Sequence, residues 1–237
     1  RGRYALEDPQ ASMTGEWRGG IGRGFEAKEL PAALRRYALA VRSFNPDGTP
    51  RTYPGSPLLA AHALRADDRL LLCESQPEEA AALRGLFRAD PRVHVHERDG
   101  YAATNALLPP AEKRGLVLVD PPFEAQEDEF RAIEAALRAA HARFATGVFA
   151  VWYPVKRRAA VKPFQRWLAA RAWRNVLLAE LLVRPDDSPL RLNGCGIALV
   201  NAPWKFDATL AAMLPALASL LAQAGGASHR LQSLSGE

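Results

Sequence analysis

The sequence predicts an α/β fold built around a mainly parallel sheet, and three observations carry that expectation. Short apolar runs alternate along the chain with segments whose apolar residues recur at helical spacing. The run Leu116-Val117-Leu118-Val119, with Arg114-Gly115 before it and Asp120-Pro121-Pro122 after it, has the length and composition of a strand buried on both faces. The last two long apolar runs are joined by only about ten residues without helical periodicity, too few for a crossover, so they are expected to pair antiparallel.

The elements follow in order. From Glu26 to Phe44, the residues Leu30, Leu34, Tyr37, Val41 and Phe44 recur at helical spacing, and Pro31 sits near the amino end, where a helix tolerates it. Asn45-Pro46-Asp47-Gly48 is a turn. Tyr53-Pro54-Gly55-Ser56-Pro57 feeds a helix from Leu58 to Arg65, with Ser56 expected as its N-cap and Pro57 at its first helical position. Strands are expected over 69–73, 92–96, 116–119 and 147–152, alternating with helices over 77–87, 101–107 and 127–144. A basic helix over 155–171 leads to strands over 176–183 and 194–200, a turn region from Pro185 to Asn193 between them, a helix over 207–221 and a loose tail from Ala224 to Glu237. The chain opens at Arg1 without methionine and reads as a fragment, and with six strands visible a first strand is expected upstream of it. In domain terms, 1–19 and 66–222 form the main domain, 20–65 a small helical insertion and 223–237 the tail.

Composition sets bounds on function. In 237 residues, 48% hydrophobic content supplies a sizeable core, and a net charge of +5 suits a polyanionic partner. Cys73 and Cys195 lie in apolar stretches without C-x-x-C spacing, which reads as buried free thiols of a reducing cytoplasm. His62, His94, His96, His141 and His229 are scattered, so no metal is expected. No apolar run approaches the ~20 residues that span a bilayer. Gly20, Gly22 and Gly24 follow no buried strand, which argues for a flexible lead-in to the first long helix over a phosphate loop.

The chemistry concentrates at the ends of three strands. Pro121 biases Asp120 toward an extended backbone at the carboxyl end of a strand, where open α/β sheets bind ligands. An exocyclic amine of adenine or cytosine is a weak nucleophile because its lone pair is delocalised into the ring. Two acceptors that take its hydrogens, here the Asp120 carboxylate and the Pro121 carbonyl, would favour a pyramidal nitrogen and aim the lone pair at an electrophilic methyl group. Phe123 offers a ring on which an extruded base stacks. Asp-Pro-Pro also serves simply to end a strand. Glu74 follows the strand Leu70-Leu71-Leu72-Cys73 at a position suited to ribose hydroxyls, and Asp99-Gly100 follows the next strand at a position suited to an adenine amino group. Lys156, Arg157, Arg158, Lys162 and Arg166, next to Trp152-Tyr153-Pro154, form the densest basic cluster, which reads either as a phosphate-binding surface or as a solvated helix face.

Taken together, these residues resemble the bacterial 23S ribosomal RNA adenine-N6 methyltransferases of the RlmJ type. The likeness rests on Gly2-Arg3-Tyr4, Tyr53-Pro54-Gly55-Ser56-Pro57, Glu74, Asp99-Gly100, Arg114-Gly115, Asp120-Pro121-Pro122-Phe123, Phe144-Ala145-Thr146-Gly147, Trp152-Tyr153-Pro154 and Asn201-Ala202-Pro203-Trp204, and it covers nearly the whole chain. The resemblance implies a Rossmann-like seven-stranded class I methyltransferase sheet with a small helical insertion. It implies S-adenosylmethionine as methyl donor, leaving S-adenosylhomocysteine, held by Ser56, Glu74, Asp99, Gly100 and Asp120, with Asp120 catalytic and no metal. Phe123 stands where the family motif usually carries tyrosine, which keeps the ring and removes a hydroxyl. The implied partner is 23S ribosomal RNA, protein-free or early in assembly, with no protein partner. DNA adenine methylation, a nucleic-acid-binding module without catalysis, and a nicotinamide-dependent oxidoreductase are the other readings. The last would need a complete glycine fingerprint before a helix.

Overall fold

The computed structural model describes residues 2–7, 17–27, 29–123, 126–188 and 192–234; residues 189–191 of the expected turn and 235–237 of the expected tail lie outside the described residues. The chain divides into two compact units, Arg1–Ala103 and Thr104–Glu237.

In the first unit the order is β1 (Arg3–Ala5), a π-helical turn (Arg18–Gly22), α1 (Arg23–Glu26), α2 (Ala32–Ser43), β2 (Thr52–Pro54), α3 (Ser56–Ala63), β3 (Leu70–Glu74), α4 (Pro77–Leu86) and β4 (Val93–Glu97), while α5 (Gly100–Leu107) runs across the division. Strands β3 and β4 are parallel, in register from Leu70 opposite Val93 to Glu74 opposite Glu97. Leu70, Leu72, Val93 and Val95 pack on the buried Ala61, Leu83 and Phe87 of the flanking helical segments. That apolar face, with the helices laid over it, is what fixes the strands. Arg92 ties the end of α3 to the start of β4, its Nη1 donating to the Leu64 carbonyl at 3.0 Å. The same guanidinium pairs with Asp90 at 2.7 Å and holds the Asp90 carboxyl down to about 2.

Asn45 organises the connection between α2 and β2. Buried at 5% exposure, it donates from Nδ2 to the Val41 and Thr52 carbonyls and accepts at Oδ1 from the Arg51 and Thr52 amides. One side chain thus satisfies the end of α2 and the start of β2. Two expectations are corrected here. The helix expected from Glu26 begins at Ala32, because Pro31 with ψ 150° acts as its N-cap outside helical geometry. The glycine-dotted stretch is helical on either side of a kink at Gly20 (φ −104°, ψ −110°) and runs on into α1, where a flexible lead-in was expected.

The second unit contains β5 (Leu116–Val119), α6 (Gln126–Arg143), β6 (Val148–Val155), α7 (Arg158–Ala169), β7 (Leu177–Leu182), β8 (Gly194–Val200), α8 (Phe206–Leu221) and β9 (Ser228–Ser233). Its sheet order is β5-β6-β8-β7-β9, with β5 and β6 parallel and the later pairs antiparallel. The expected antiparallel pairing of the two late strands is present. On one face Ala150, Leu177, Ala179 and Leu199 pack against Leu210 and Leu214 of α8. On the other, Phe130 of α6 and Phe164 of α7 stack at 4.9 Å and meet Tyr153 edge-on. The alternation along β6 decides which residue faces which layer.

Three further differences have physical causes. The tail expected to be loose contains β9, which pairs with β7 along its whole length and packs Leu231 on the α8 side. Leu116 and Leu118 of β5, expected to be buried, are 67% and 50% exposed, since among the described residues β5 is paired along β6 alone. Val155 completes β6 opposite Gly194, so α7 starts at Arg158 and not at Val155.

Two glycines are fixed by close approach across the sheet. A Cβ on Gly196 would overlap the Tyr153 ring, and one on Gly194 would overlap the Leu181 carbonyl. Gly196→Ala is expected to lower stability by about 1–3 kcal/mol, as overpacked cores do. Urea unfolding followed by circular dichroism checks it through a lowered midpoint.

Candidate active site

In the first unit, the strand-end acids sit where the sheet topology puts carboxyl ends. Glu74 is the last residue of β3 and half-buried, and its Oε1 accepts from the Gln76 amide at 2.9 Å, just ahead of α4. Asp99 lies two residues beyond β4, its Oδ1 accepting from the Tyr101 amide and its Oδ2 from the Ala102 amide, both at 3.1 Å. It therefore caps α5 and satisfies two of the amides that a helix start leaves unpaired. Parallel pairing of β3 with β4 brings both acids to one end of this sheet, where the Arg98 amide donates to the Glu74 carbonyl at 2.9 Å. Each carboxylate is committed to local amides on one side and retains lone pairs for a ligand.

Gly100 opens α5 and is exposed; a Cβ there would stand 3.9 Å from the Cys73 Cβ, an ordinary contact, so packing alone does not demand glycine. Ser56 is exposed and is the first residue of α3. Its expected role as N-cap falls to Gly55, whose ψ of 170° is the non-helical boundary. The Gly55 amide donates to the Gly2 carbonyl at 2.9 Å, joining the Tyr53–Pro57 motif to the start of the chain.

In the second unit, Asp120 directly follows β5 and is open to solvent. Protein nevertheless surrounds enough of it that burial raises its carboxyl above the ordinary carboxylate range. The strand beneath is seated by Phe144. Its ring covers Gly115, and a Cβ on Gly147 would overlap it, which explains the Arg114-Gly115 and Phe144–Gly147 motifs as one packing unit at the start of β5 and β6. The Val148 amide donates to the Gly115 carbonyl at 3.0 Å.

Phe123 is placed otherwise than expected. Its ring is 1% exposed, edge-on to Phe130 at 5.3 Å and to Trp152 at 5.9 Å, so it has no open face for stacking. Its φ of 52° turns the chain sharply after the two prolines and drives the ring inward. Pro121 remains half-exposed beside Asp120. Sequence reasoning missed Trp152 and Gln126 as supports. Trp152 is half-buried and its indole N–H donates to Cys195, while Gln126 Nε2 donates to the Pro154 carbonyl at 3.0 Å.

The basic cluster separates into two kinds. Lys156, Arg157, Lys162 and Arg166 are exposed. Arg158 is engaged: its Nη1 bonds both Glu180 oxygens at 2.7 Å and its Nε bonds Asp186 at 2.9 Å. Glu180, 1% exposed in β7, also accepts from Gln165 at 2.7 Å and from the Tyr153 hydroxyl at 3.1 Å. Arg158 therefore neutralises a buried carboxylate, which corrects its assignment as a nucleic-acid contact. The signal was available in the sequence, since an acid inside the run Leu177–Leu182 must find a cation.

A concavity lined by Phe87, Asp90, Pro91 and Val93 to Val95 lies on the α4 flank of β4, away from the acid-bearing strand ends. Among the described residues, no group of three or more His, Cys, Asp or Glu side chains is placed to hold a metal ion, and no helix is long and apolar enough to cross a membrane.

The geometry has counterparts in known proteins. The crystal structure of protein LPL1258 from Legionella pneumophila str. Philadelphia 1 superposes with a TM-score of 0.88 at 34% identity, covering 98% of this chain and 85% of that one. Ribosomal RNA large subunit methyltransferase J of Escherichia coli (strain K12) is 40% identical over 224 residues, 94% of this chain and 80% of that protein. Its namesake from Haemophilus influenzae (strain ATCC 51907 / DSM 11121 / KW20 / Rd) is 38% identical over 237 residues, 100% of this chain and 84% of that protein. The family model described as Ribosomal RNA large subunit methyltransferase D, RlmJ matches residues 1–232, and the chain belongs to that family of ribosomal RNA methyltransferases.

Proposed function

We propose that the protein transfers a methyl group from S-adenosylmethionine to N6 of an adenine in 23S ribosomal RNA, acting on the RNA in the cytoplasm. The observation that carries this reading is Asp120, a solvent-open, partly desolvated carboxylate held at a strand end by two prolines, in a chain of this family. When bound, S-adenosylmethionine would supply an electrophilic methyl group. The donor set fits it: Glu74 would suit the ribose hydroxyls and Asp99 the adenine amine, each keeping free lone pairs after accepting from local amides, with Ser56 and Gly100 in the same unit. Asp120 and the Pro121 carbonyl would accept the two hydrogens of the target amine, orienting its lone pair; as the N–C bond formed, the donor's methyl–sulfur bond would break to leave S-adenosylhomocysteine, and the surplus amine proton would pass through the Asp120 carboxylate to solvent.

Phe123 contributes first by anchoring the motif between Phe130 and Trp152. It would receive a flipped base only after leaving that socket, and its left-handed backbone is a strained starting point for such a movement. Lys156, Arg157, Lys162 and Arg166 are the exposed cations of this cluster, the first three being the ones assigned here to RNA phosphates. The parallel pairs β3–β4 and β5–β6, with β8 antiparallel between β6 and β7, support a Rossmann-like seven-stranded class I methyltransferase sheet as the parent architecture.

The test is competition. Full-length protein is incubated with labelled S-adenosylmethionine, protein-free 23S ribosomal RNA and duplex DNA, and the nucleosides are resolved by mass spectrometry. Label in N6-methyladenosine from the RNA is the expected result. Label confined to DNA, or in another nucleoside, contradicts the reading. Separately, replacing Lys156, Arg157 and Lys162 together by alanine is expected to raise KM for the RNA and to flatten its dependence on salt, leaving thermal stability unchanged.

A further inference from the structure

The motif Asn201-Ala202-Pro203-Trp204 takes no part in the chemistry above. It lies at the opposite end of the five-stranded sheet from Asp120. Val200 pairs with Phe149 near the start of β6, and Asn201 Nδ2 donates to the Ala145 and Gly147 carbonyls at 2.8 and 2.7 Å, just before that strand begins. Asp120 follows the last residue of β5, which runs parallel to β6. The four residues of β5 alone separate the two ends by about 13 Å.

Trp204 is 85% exposed, the most exposed of the large apolar side chains among the described residues. It stands on a fixed support. Asn201 and Lys205 both adopt left-handed backbone, φ 56° and 59°. The amides of Asn201 and Ala202 donate to the carbonyls of Arg174 and Asn175 at 3.1 and 3.0 Å, and the Phe206 amide donates to the Pro203 carbonyl at 3.0 Å. The Lys205 ammonium sits 4.2 Å from the centre of the indole ring. An ammonium can cover one face of a ring, and at this exposure the other is left to solvent. Arg174 and Arg143 are exposed on the segments that hold the loop, against the single acid Asp207 in the first turn of α8. A rigidly presented indole with a cation over it, on a loop held by segments that carry the exposed Arg174 and Arg143, has the chemistry of a base-stacking platform for a polyanion.

We propose that Trp204 and Lys205 form a second RNA contact, in which an unpaired base stacks on the indole and an adjoining phosphate meets Lys205 and Arg174. The inference rests on ribosomal RNA being the substrate. It adds that the RNA is held at both ends of this sheet, so that one contact positions the target and the other contributes affinity.

The test uses full-length wild type, Trp204→Ala, Trp204→Phe and Lys205→Ala. Equilibrium binding to protein-free 23S ribosomal RNA and methyl-transfer kinetics are measured on the same samples. Trp204→Ala is expected to weaken binding and raise KM by roughly fivefold or more, with kcat at saturating RNA unchanged and Trp204→Phe retaining most of the affinity. Lys205→Ala is expected to reduce the slope of log K on log salt by about one. Wild-type binding and KM in Trp204→Ala overturn the proposal. So does a change of oligomeric state in sedimentation with RNA affinity intact, which assigns the face to contact between copies. Failure of the wild type to methylate RNA counts against the proposed function and leaves the binding comparison to decide the platform.

Discussion

Arg158→Ala is expected to lower the stability of the protein by about 3 kcal/mol, whereas Arg157→Ala is expected to leave it within about 0.5 kcal/mol. The two arginines are adjacent in sequence and differ in what they touch. Arg158 Nη1 donates to both Glu180 oxygens at 2.7 Å while its Nε donates to Asp186 at 2.9 Å. Without it, Glu180 keeps Gln165, the Tyr153 hydroxyl and a distant Arg230 at 3.8 Å, which are insufficient for an ionised carboxylate at 1% exposure. Burial and the neighbouring Glu180 both push the Tyr153 phenol up, so that hydroxyl remains a neutral donor throughout the working range. Arg158→Lys is expected to recover only part of the loss, because a point charge cannot reproduce the forked contact. Urea unfolding of the variants measures these differences. An unchanged midpoint in Arg158→Ala would show that the ion pair contributes nothing net.

Asp120→Asn is expected to reduce methyl transfer by at least a hundredfold and to leave the protein as stable as the wild type or slightly more so at neutral pH. The first effect follows from exchanging one acceptor oxygen for a donor amide facing the target amine. The second follows from linkage. Burial raises the Asp120 carboxyl above its unfolded value of 3.8, so between that value and its folded pKa the folded state binds more protons than the unfolded state. The residue's contribution to stability therefore falls as pH rises through that window, and at neutral pH the ionised carboxylate is a small net cost that asparagine removes. Activity runs the other way, because only the ionised carboxylate accepts both hydrogens effectively. The acid limb of kcat/KM is expected above pH 3.8 and to shift with variants that change the packing around Asp120.

Much of this was legible in the sequence because it depends on local pattern. The alternation of apolar runs and helical segments gave the strands that carry Glu74, Asp99 and Asp120, and the short connection before Gly194 gave the antiparallel pairing of β7 with β8. What was not legible depends on partners remote in sequence. Ser228–Ser233 is too polar to read as a strand, and becomes one because β7 presents an edge and Leu231 finds the α8 layer. Arg158 looked like its neighbours until Glu180, 22 residues on, claimed it. The inward turn of Phe123 comes from one backbone angle that no residue in the motif announces. The leucines of β5 have the composition of a doubly covered strand, but coverage belongs to the neighbours and not to the run itself.

The most direct test of the Asp120 assignment is single-turnover methylation of protein-free 23S ribosomal RNA by the full-length Asp120→Asn variant, with the dissociation constants for S-adenosylmethionine and RNA measured alongside. The expected result is a rate at least a hundredfold below wild type with both constants changed by less than about threefold, the signature of an interaction made in the transition state. A rate within a few-fold of wild type at saturating RNA and cofactor would contradict the role given to Asp120.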